Sequence, residues 1–436
     1  MQNNNLQRIL GLGFGIAILV GGTIGVGILR TPGEIATQIN SEWLIILCWL
    51  AGGAYVLLGC GAYAELATSI PKAGGSYNYI KRAFGDYAGF VSGWFDYITN
   101  ATAPAFFCIV IGEYLAILFP VLEPAKTAMA IGFLIGFSAL HAIGVKSGSI
   151  VQQLTSILKV VFFVALVVAC FLYSGATVPN PAGSSHLATA GLALGFAKAL
   201  QMVLGTYNGW YSVCFFAEED QNPNRNIPRS LYTGALIVIA IYILINLAFM
   251  HVMPPLAMSN SPLVAADVSQ IVFGPVGSTI VTVISVFSII GILNAYMMIP
   301  ARILFGLGRD GFFIKSAVRV NKGGTPIVAL LVSSVFSLGL IVIGSFGALF
   351  GLATFTGVIV WGMAYASLIR LRKTEPNLER PHKSWGHPYS TVLLLISTLA
   401  ILVGFALSDY TSLAVVVLIG LASYPLFRLL KRRQMD

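Results

Sequence analysis

The sequence predicts an all-α polytopic membrane protein, and three features support this: composition, long apolar stretches and the spacing of basic residues. Hydrophobic residues make up 57% of the 436-residue chain and charged residues 9%, and the mean hydropathy is +0.85. Soluble domains contain roughly 45–50% apolar and about 25% charged residues. A chain of this composition is suited to a lipid bilayer rather than to water.

About twelve stretches are apolar over roughly the 20 residues that a helix needs to cross the hydrocarbon. The first is too long for a signal-peptide core and lacks a small-residue cleavage site, so we interpret it as a membrane helix. In order, the predicted spans are Leu10–Ala36, Trp43–Leu66, Phe84–Phe119, Thr127–Ile143, Val151–Tyr173, Leu192–Phe216, Leu231–Met253, Val276–Ile303, Pro326–Ile343, Leu349–Leu368, Thr391–Leu407 and Leu413–Leu430.

Lys and Arg residues concentrate in alternate loops, as short cytoplasmic loops do. The net charge of +9 therefore indicates topology and contact with lipid headgroups, not a nucleic-acid surface. We expect a multi-pass protein of a bacterial or archaeal cytoplasmic (inner) cell membrane, with both termini cytoplasmic. The basic loop residues are Lys72, Lys81, Arg82, Lys146, Arg225, Arg229, Arg309, Lys315, Arg319, Lys322, Arg370, Arg372, Lys373, Arg380, Lys383, Arg428, Lys431, Arg432 and Arg433.

Residues that commonly bind metals or perform catalysis form no recognisable constellation. The five cysteines lie in apolar spans without CxxC spacing, which favours buried packing, and the five histidines lack ligand spacing. We therefore expect no enzyme activity, no cofactor and no metal. These residues are Cys48, Cys60, Cys108, Cys170, Cys214, His141, His186, His251, His382 and His387.

The stretch "ILVGGTIGVGILRTPG", residues 18–33, interrupts the first span with five glycines and Pro32. Each glycine costs a helix interior about 1 kcal/mol relative to alanine. A broken helix in hydrocarbon is tolerated only where its backbone is buried in protein or lines a wet cavity. Close packing of small residues between helices is the alternative, but so many glycines around one point, with Pro32 adding a break, favour a discontinuous helix.

The sixth span carries a corresponding interruption in "VLGTYNGWYSVCFF". Secondary transporters built from inverted repeats place such breaks in matching helices of the two halves, around a substrate site near the bilayer midplane. Gly205-Thr206 even repeats the Gly22-Thr23 pair. The two breaks therefore predict one shared site.

Several motifs in register resemble the amino acid–polyamine–organocation (APC) transporters, and within them the L-type and bacterial amino acid exchangers. The motifs are "GGTIGVGILRTPG", "AELATSIPKAGGSYNYIKRAFG", "YNGW" with "EEDQNPNRNIPRSL", "LNAYMMIPARILFGLGRDGFF" and "EPNLERPHKSWGHP". The resemblance implies a LeuT-type five-plus-five inverted repeat followed by two helices. We expect one transporter domain over residues 1–436, with repeats at about 8–175 and 190–372 and additional helices at about 390–431.

The same resemblance implies which atoms bind an amino acid. The amides of Gly25, Val26 and Gly27 would bind its carboxylate, and carbonyls in both breaks would accept hydrogen bonds from its ammonium group. Backbone atoms would therefore recognise both charged groups of the amino acid. For Tyr207 and Tyr296, which the resemblance places among the residues that contact the substrate side chain, ordinary packing in the protein core is the alternative. The implied carbonyl residues are Gly22, Thr23, Gly205 and Thr206, and the implied side-chain readers are Tyr207, Asn208, Asn294 and Tyr296.

Two features depart from the family pattern. L-type relatives usually have an aromatic gate residue where this chain has Gly205, which leaves the outer gate and the pocket size open. Arg30 and Lys198 are cations where small or apolar residues are expected. Arg30 can pair with Glu34 one turn on and Lys198 can extend outward, or both can face the outer vestibule and favour an acidic or otherwise decorated substrate.

Lys159 is a lone cation in the fifth span, where a lysine is costly and is expected to face the protein interior. By resemblance to sodium-independent APC relatives, it occupies the place of a sodium ion and donates hydrogen bonds to the broken first helix. A lysine that extends to the interface is the alternative. The resemblance thus predicts a coupling role for Lys159.

Two further polar pairs lie in or beside the spans. Asp96 and Asn100, one turn apart in the third span, are either functional or a helix-to-helix hydrogen bond, and we favour the latter. Glu218 and Glu219 begin the loop after the sixth span and are expected to brace an inner gate against basic residues.

The sequence as a whole predicts sodium-independent secondary transport of amino acids by alternating access, through exchange or proton coupling. An amine, polyamine or acidic amino acid antiporter, and a non-transporting membrane sensor with the same fold, are the alternatives. The expected partners are a small amino acid substrate and the lipid bilayer, and the expected state is a monomer or a homodimer.

Overall fold

The computed structural model describes residues 6–175, 189–261, 263–343, 346–408 and 410–435. Within these ranges the regular structure is helical, and the β-type pairs are two isolated bridges, Leu10 with Asp220 and Val320 with Pro326. The all-α prediction is confirmed. All five cysteines are buried and free, as their apolar context indicated, and His186 lies outside the described residues.

The α-helices are numbered in chain order. They are α1 Leu12–Thr23, α2 Gly27–Gln38, α3 Glu42–Ser69, α4 Ser76–Phe84, α5 Asp86–Leu118, α6 Lys126–Ile143, α7 Val145–Leu172, α8 Thr189–Thr206, α9 Pro223–Val252, α10 Pro255–Met258, α11 Val264–Phe273, α12 Gly277–Arg309, α13 Ile327–Ile343, α14 Phe346–Thr374, α15 Tyr389–Ser408 and α16 Tyr410–Met435. The 3-10 helices are Pro120–Ala125, Ser212–Phe216, Gly274–Val276 and Lys315–Val318.

The prediction of a polytopic membrane protein is confirmed, but in the part of the chain that the structure describes fewer than the twelve predicted spans are helices long enough to cross a membrane. Among the described residues, nine helices are long and apolar enough to cross a membrane, or ten if the bent pair α1 and α2 is one span. Two other predicted spans contain shorter apolar helices, Leu192–Thr206 and Ile327–Ile343. Each predicted span therefore contains an apolar helix, and only some of them meet the length test alone.

The centre of the bundle is formed by α1, which packs against α7, α9 and α12, and by α5, which packs against α12 and α14. The apolar windows of α15 and α16 are each only 17% buried, against 72% for α14. The last two helices are therefore peripheral. The interrupted first span lies in the protein core rather than against lipid, because α1 is packed against three other helices.

The first span breaks at residues 24–26, where α1 and α2 meet at an angle of 45°. The prediction that Pro32 adds to this break is wrong, because Pro32 lies inside α2. A proline removes one intrahelical hydrogen bond and strains the preceding turn. The helix continues because the residues around Pro32, including Ile28 and Ile35, are buried in the core.

One end of the bundle is closed by ion pairs, and we call it the basic end. Arg302 of α12 donates to both oxygens of Glu219, at 2.8 and 2.9 Å, and the two side chains are 2% and 0% exposed. Arg309 pairs with Glu218 at 2.8 Å in a more exposed position. Glu218 and Glu219 thus pair with basic residues, as the sequence indicated.

The segment that precedes α1 is tied to the same end. The amide of Leu10 donates to the carbonyl of Glu219 at 3.0 Å, and the amide of Gln221 donates to the carbonyl of Leu10 at 2.9 Å. Burial raises the pKa of Asp220, which lies between them, although the Asn222 amide and the Asn226 side chain donate to its carboxylate. The start of α1 and the loop after the sixth span therefore form one closure.

We predict that Glu219→Gln destabilises the protein far more than Glu218→Gln. Glu219→Gln leaves Arg302 buried without a counter-charge, which typically costs about 3–5 kcal/mol, whereas a partly exposed pair is worth about 0–1 kcal/mol. The apparent unfolding temperature in detergent is expected to fall clearly for Glu219→Gln and little for Glu218→Gln. Equal shifts for the two variants would contradict this assignment.

Candidate functional site

The first break is a short non-helical connection at the centre of the bundle. Ile24 has an extended backbone, and α2 starts at Gly27. The N–H groups at the start of a helix lack intrahelical acceptors, so the amides around Gly25, Val26 and Gly27 are available to an anion. The Thr23 hydroxyl is buried at this point and has no hydrogen-bond partner among the described residues.

Lys159 of α7 is bonded to the end of α1. Its ammonium nitrogen donates to the carbonyls of Gly21 at 2.8 Å and Ile24 at 2.5 Å, and the residue is 1% exposed. The hydroxyl of Ser288 on α12 donates to the same Ile24 carbonyl at 3.2 Å. The carbonyls that the break releases are therefore held by side chains of two neighbouring helices.

The second break follows α8, which ends at Thr206, and precedes the 3-10 helix Ser212–Phe216. Gly209 has φ +102°, a conformation that L side chains rarely adopt, and a Cβ there would lie 2.6 Å from the carbonyl oxygen of Gly22. Glycine is required at this position for both reasons. The two breaks thus contact each other through backbone.

Tyr242 of α9 joins the two breaks and was missed by sequence reasoning. Its hydroxyl oxygen lies 2.9 Å from the Thr23 carbonyl and 3.1 Å from the Thr206 carbonyl. One hydroxyl hydrogen cannot serve both carbonyls fully, so acceptor capacity remains for an ammonium group. The sequence feature that could have indicated this role is the presence of a tyrosine in the middle of an apolar span.

The second half of the first span also meets the sixth span. A Cβ on Gly27 would lie 3.3 Å from Cγ2 of Thr206, and the hydroxyl of Thr206 lies 3.0 Å from that of Thr31. Gly27 is exposed, whereas Ile28 beside it is buried. A Cβ on Gly205 would meet nothing within 4 Å. Gly27 is therefore open to solvent in this structure, and Gly205 has room for a side chain, whereas the ion pair of Arg302 with Glu219 at the basic end is buried.

On α12, Ile292 and Ala295 lie beside glycines of the first break. A Cβ on Gly25 would collide with Cδ1 of Ile292, and a Cβ on Gly22 would lie 3.7 Å from Cβ of Ala295. Asn294 instead donates to the Gly148 carbonyl at 3.1 Å and to Gln152 at 2.7 Å, both on α7. The amide nitrogen of Asn294 thus bonds to α7, while its Oδ1 is buried without a partner among the described residues.

The other predicted side-chain readers have mixed surroundings. Tyr207 packs its ring against Trp49 and Tyr242, with centroids 5.7 and 5.0 Å away, and Tyr296 lies 5.7 Å from Phe107. These contacts agree with the alternative of core packing. Asn208 is half-buried and accepts a hydrogen bond from the following amide at 2.8 Å.

The unexpected cations have ordinary surroundings. Arg30 forms an ion pair with Glu34 at 2.8 Å, with its side chain 62% exposed, and Lys198 is exposed.

The prediction that Asp96 and Asn100 form a hydrogen bond between helices is wrong. Asn100 donates to the backbone carbonyl and to a carboxyl oxygen of Asp96, and both residues belong to α5.

The site consequently offers backbone donors on one side and backbone acceptors on the other. The dipole of α2 favours a negative group at its start, while the carbonyls of both breaks favour a positive group. No group of three or more metal-binding side chains occurs in the described ranges. The arrangement matches a small zwitterion.

Comparison with known proteins gives a consistent result. A family model described as amino acid permease matches residues 14–422. The serine/threonine exchanger SteT of Bacillus subtilis is 27% identical over an alignment of 445 positions that covers 99% of this chain and 99% of that protein. The b(0,+)-type amino acid transporter 1 of Mus musculus is 29% identical over 442 residues, covering 98% and 89%.

A further relative, the large neutral amino acids transporter small subunit 2 of Homo sapiens, is 26% identical over 392 residues, covering 87% of this chain and 72% of that protein. These relatives are transporters or exchangers, and the matched family is not an enzyme family. The chain belongs to the amino acid permease family of the APC transporters.

Proposed function

We propose that this permease performs sodium-independent secondary transport of amino acids across a cell membrane by alternating access. The observation that carries the proposal is the contact of the Lys159 ammonium with the Gly21 and Ile24 carbonyls. A bound sodium ion would need the same kind of oxygen ligands. The tethered ammonium provides the positive charge there, so that the site needs no free cation.

In this proposal the backbone recognises the groups that all amino acids share. The carboxylate approaches the amides of Gly25, Val26 and Gly27, and the ammonium approaches the carbonyls of Gly22, Thr23, Gly205 and Thr206. The Tyr242 hydroxyl, which already contacts two of these carbonyls, orders them before substrate arrives. The substrate side chain then extends into the open space beside Gly205.

Neutral amino acids are the proposed substrate class. Arg30 is already paired with Glu34, so its charge does not favour the alternative of an acidic substrate. The names of two relatives mention serine, threonine and large neutral amino acids. An amine substrate, the other alternative, would leave the amides of α2 without an anion.

The structure is proposed to represent a state of the transport cycle in which the basic end is closed and the first break is open to solvent at Gly27. We propose that the basic end is cytoplasmic, with both termini on that side of the membrane. Residues 8–175 and 190–372 would be the two inverted repeats, α15 and α16 would be additions, and the protein would act as a monomer or a homodimer.

The first test is counterflow in proteoliposomes. Vesicles preloaded with unlabelled serine, leucine or phenylalanine are expected to take up the same labelled amino acid, and Gly27→Val is expected to abolish uptake because its side chain fills the space toward Thr206. Gly132→Val, on the exposed face of α6 where a Cβ meets nothing within 4 Å, is the matched control. Counterflow with none of the common amino acids would favour a non-transporting sensor.

The second test concerns the coupling role of Lys159. Uptake is expected to be the same when sodium is replaced by choline, and Lys159→Ala is expected to reduce it about tenfold or more, because two charge-assisted hydrogen bonds are lost. Lys198→Ala, which removes an exposed lysine from another apolar helix, should leave uptake unchanged. A sodium requirement, or normal uptake by Lys159→Ala, would exclude this role.

The third test concerns the size of the pocket. Gly205→Phe is expected to fold normally, because the position faces open space, and to lose uptake of leucine and phenylalanine while retaining serine. Size-exclusion profiles and counterflow with the three amino acids measure this, with Gly132→Phe as the control. An unchanged size preference would mean that other residues close the pocket.

A further inference from the structure

Asp96 of α5 is a buried carboxyl group that has no role in the two breaks or in the ion pairs of the basic end. It is 0% exposed. Its Oδ1 accepts a hydrogen bond from Asn100 at 3.0 Å, whereas its Oδ2 is buried without a partner among the described residues. None of the ion pairs found in the described ranges includes it.

Four buried phenols interact electrostatically with Asp96, one each from α3, α4, the segment between the second break and its 3-10 helix, and α12. Phenols are uncharged near neutral pH, so they supply no positive charge to balance a carboxylate. On the α14 side, α5 presents the neutral contact of Thr99 with Thr356 at 2.7 Å. The four phenols belong to Tyr63, Tyr79, Tyr211 and Tyr296.

Two neighbours of Asp96 relate it to both breaks: Tyr296 follows Ala295, which lies beside Gly22 of the first break, and Tyr211 follows the second break. Asp96 is ten residues along α5 from Asp86, which begins the helix, or about 15 Å at the rise of an α-helix. Tyr211 precedes the 3-10 helix that leads to Glu219 and its bond to Arg302. An opening of the basic end that displaces this segment would move one of the phenols that surround Asp96.

A lone carboxylate is costly at this position. Burying an ionised carboxylate without a cation or a full set of hydrogen-bond donors is strongly unfavourable, and ionisable residues within membrane spans usually serve a function. A neutral carboxylic acid needs only modest compensation. Burial therefore favours the acid, and hydration favours the carboxylate.

We propose that Asp96 is a proton-binding site that is occupied while the basic end is closed and is emptied when that end opens. On opening, the Oδ2–H bond breaks heterolytically, the electron pair stays on the carboxylate, and water on the basic side takes the proton. Closing reverses this step. The place of the proton in a transport cycle rests on the proposed function, and it selects proton-coupled transport over simple exchange.

A proton fits this site better than a metal cation does. Within the described ranges, Asp96 supplies the only carboxylate in the cluster, and no group of three or more metal-binding side chains surrounds it. A cation would need several oxygen ligands at once, whereas a proton needs one oxygen. The site is therefore assigned to hydrogen ions alone.

The first arm of the test detects the proton without any substrate. Infrared spectra of the purified protein at neutral pH are expected to contain the C=O stretch of a protonated carboxylic acid, which Asp96→Asn removes. Glu113→Gln changes an exposed carboxyl on the same helix and should keep the band. A spectrum that is the same in wild type and Asp96→Asn would overturn the proposal.

The second arm measures coupling. A proton gradient directed into the vesicle is expected to raise uptake of labelled serine severalfold in wild type and in Glu113→Gln, and not at all in Asp96→Asn, which should still perform counterflow. Equal stimulation of Asp96→Asn would overturn the coupling. If no form shows counterflow, the proposed function has failed, and the infrared band by itself decides whether Asp96 binds the proton.

Discussion

The hydrogen bonds between Lys159 and the broken first span are the interaction on which the rest of the structure depends. A helix that stops in hydrocarbon exposes carbonyls that water cannot reach. The ammonium supplies hydrogen bonds to the Gly21 and Ile24 carbonyls, and Ser288 supplies another. With these partners the chain can bend by 45° in the core and present free amides at the start of α2.

The second break depends on the first through close backbone contact. Gly209 lies against the Gly22 carbonyl, and Tyr242 reaches both breaks. In the proposed function, substrate recognition, closure of the basic end and the environment of Asp96 all depend on this one arrangement. The 3-10 helix after the second break leads to Glu219, whose ion pair with Arg302 is buried. A change at the breaks can therefore be transmitted to the basic end.

Much of this arrangement could be predicted from sequence, because glycines and lone charges in apolar spans have few explanations. The glycine cluster located the first break, and Lys159 was expected to bond to it. Side chains whose orientation depends on helix rotation were harder: Asn294 bonds to α7, while Ile292 faces the break. The prediction that Pro32 contributes to the break was wrong because packing in the core can hold a proline inside a helix. Tyr242 was missed because one tyrosine in an apolar span looks like core.

We propose that backbone atoms of the two breaks bind one zwitterion beside Lys159. An experimental structure of the protein with a transported amino acid tests this most directly. The account predicts the carboxylate within hydrogen-bond distance of the amides of Gly25, Val26 and Gly27, and the ammonium at carbonyls of both breaks. A ligand bound elsewhere, or a metal ion in place of the Lys159 ammonium, would contradict it.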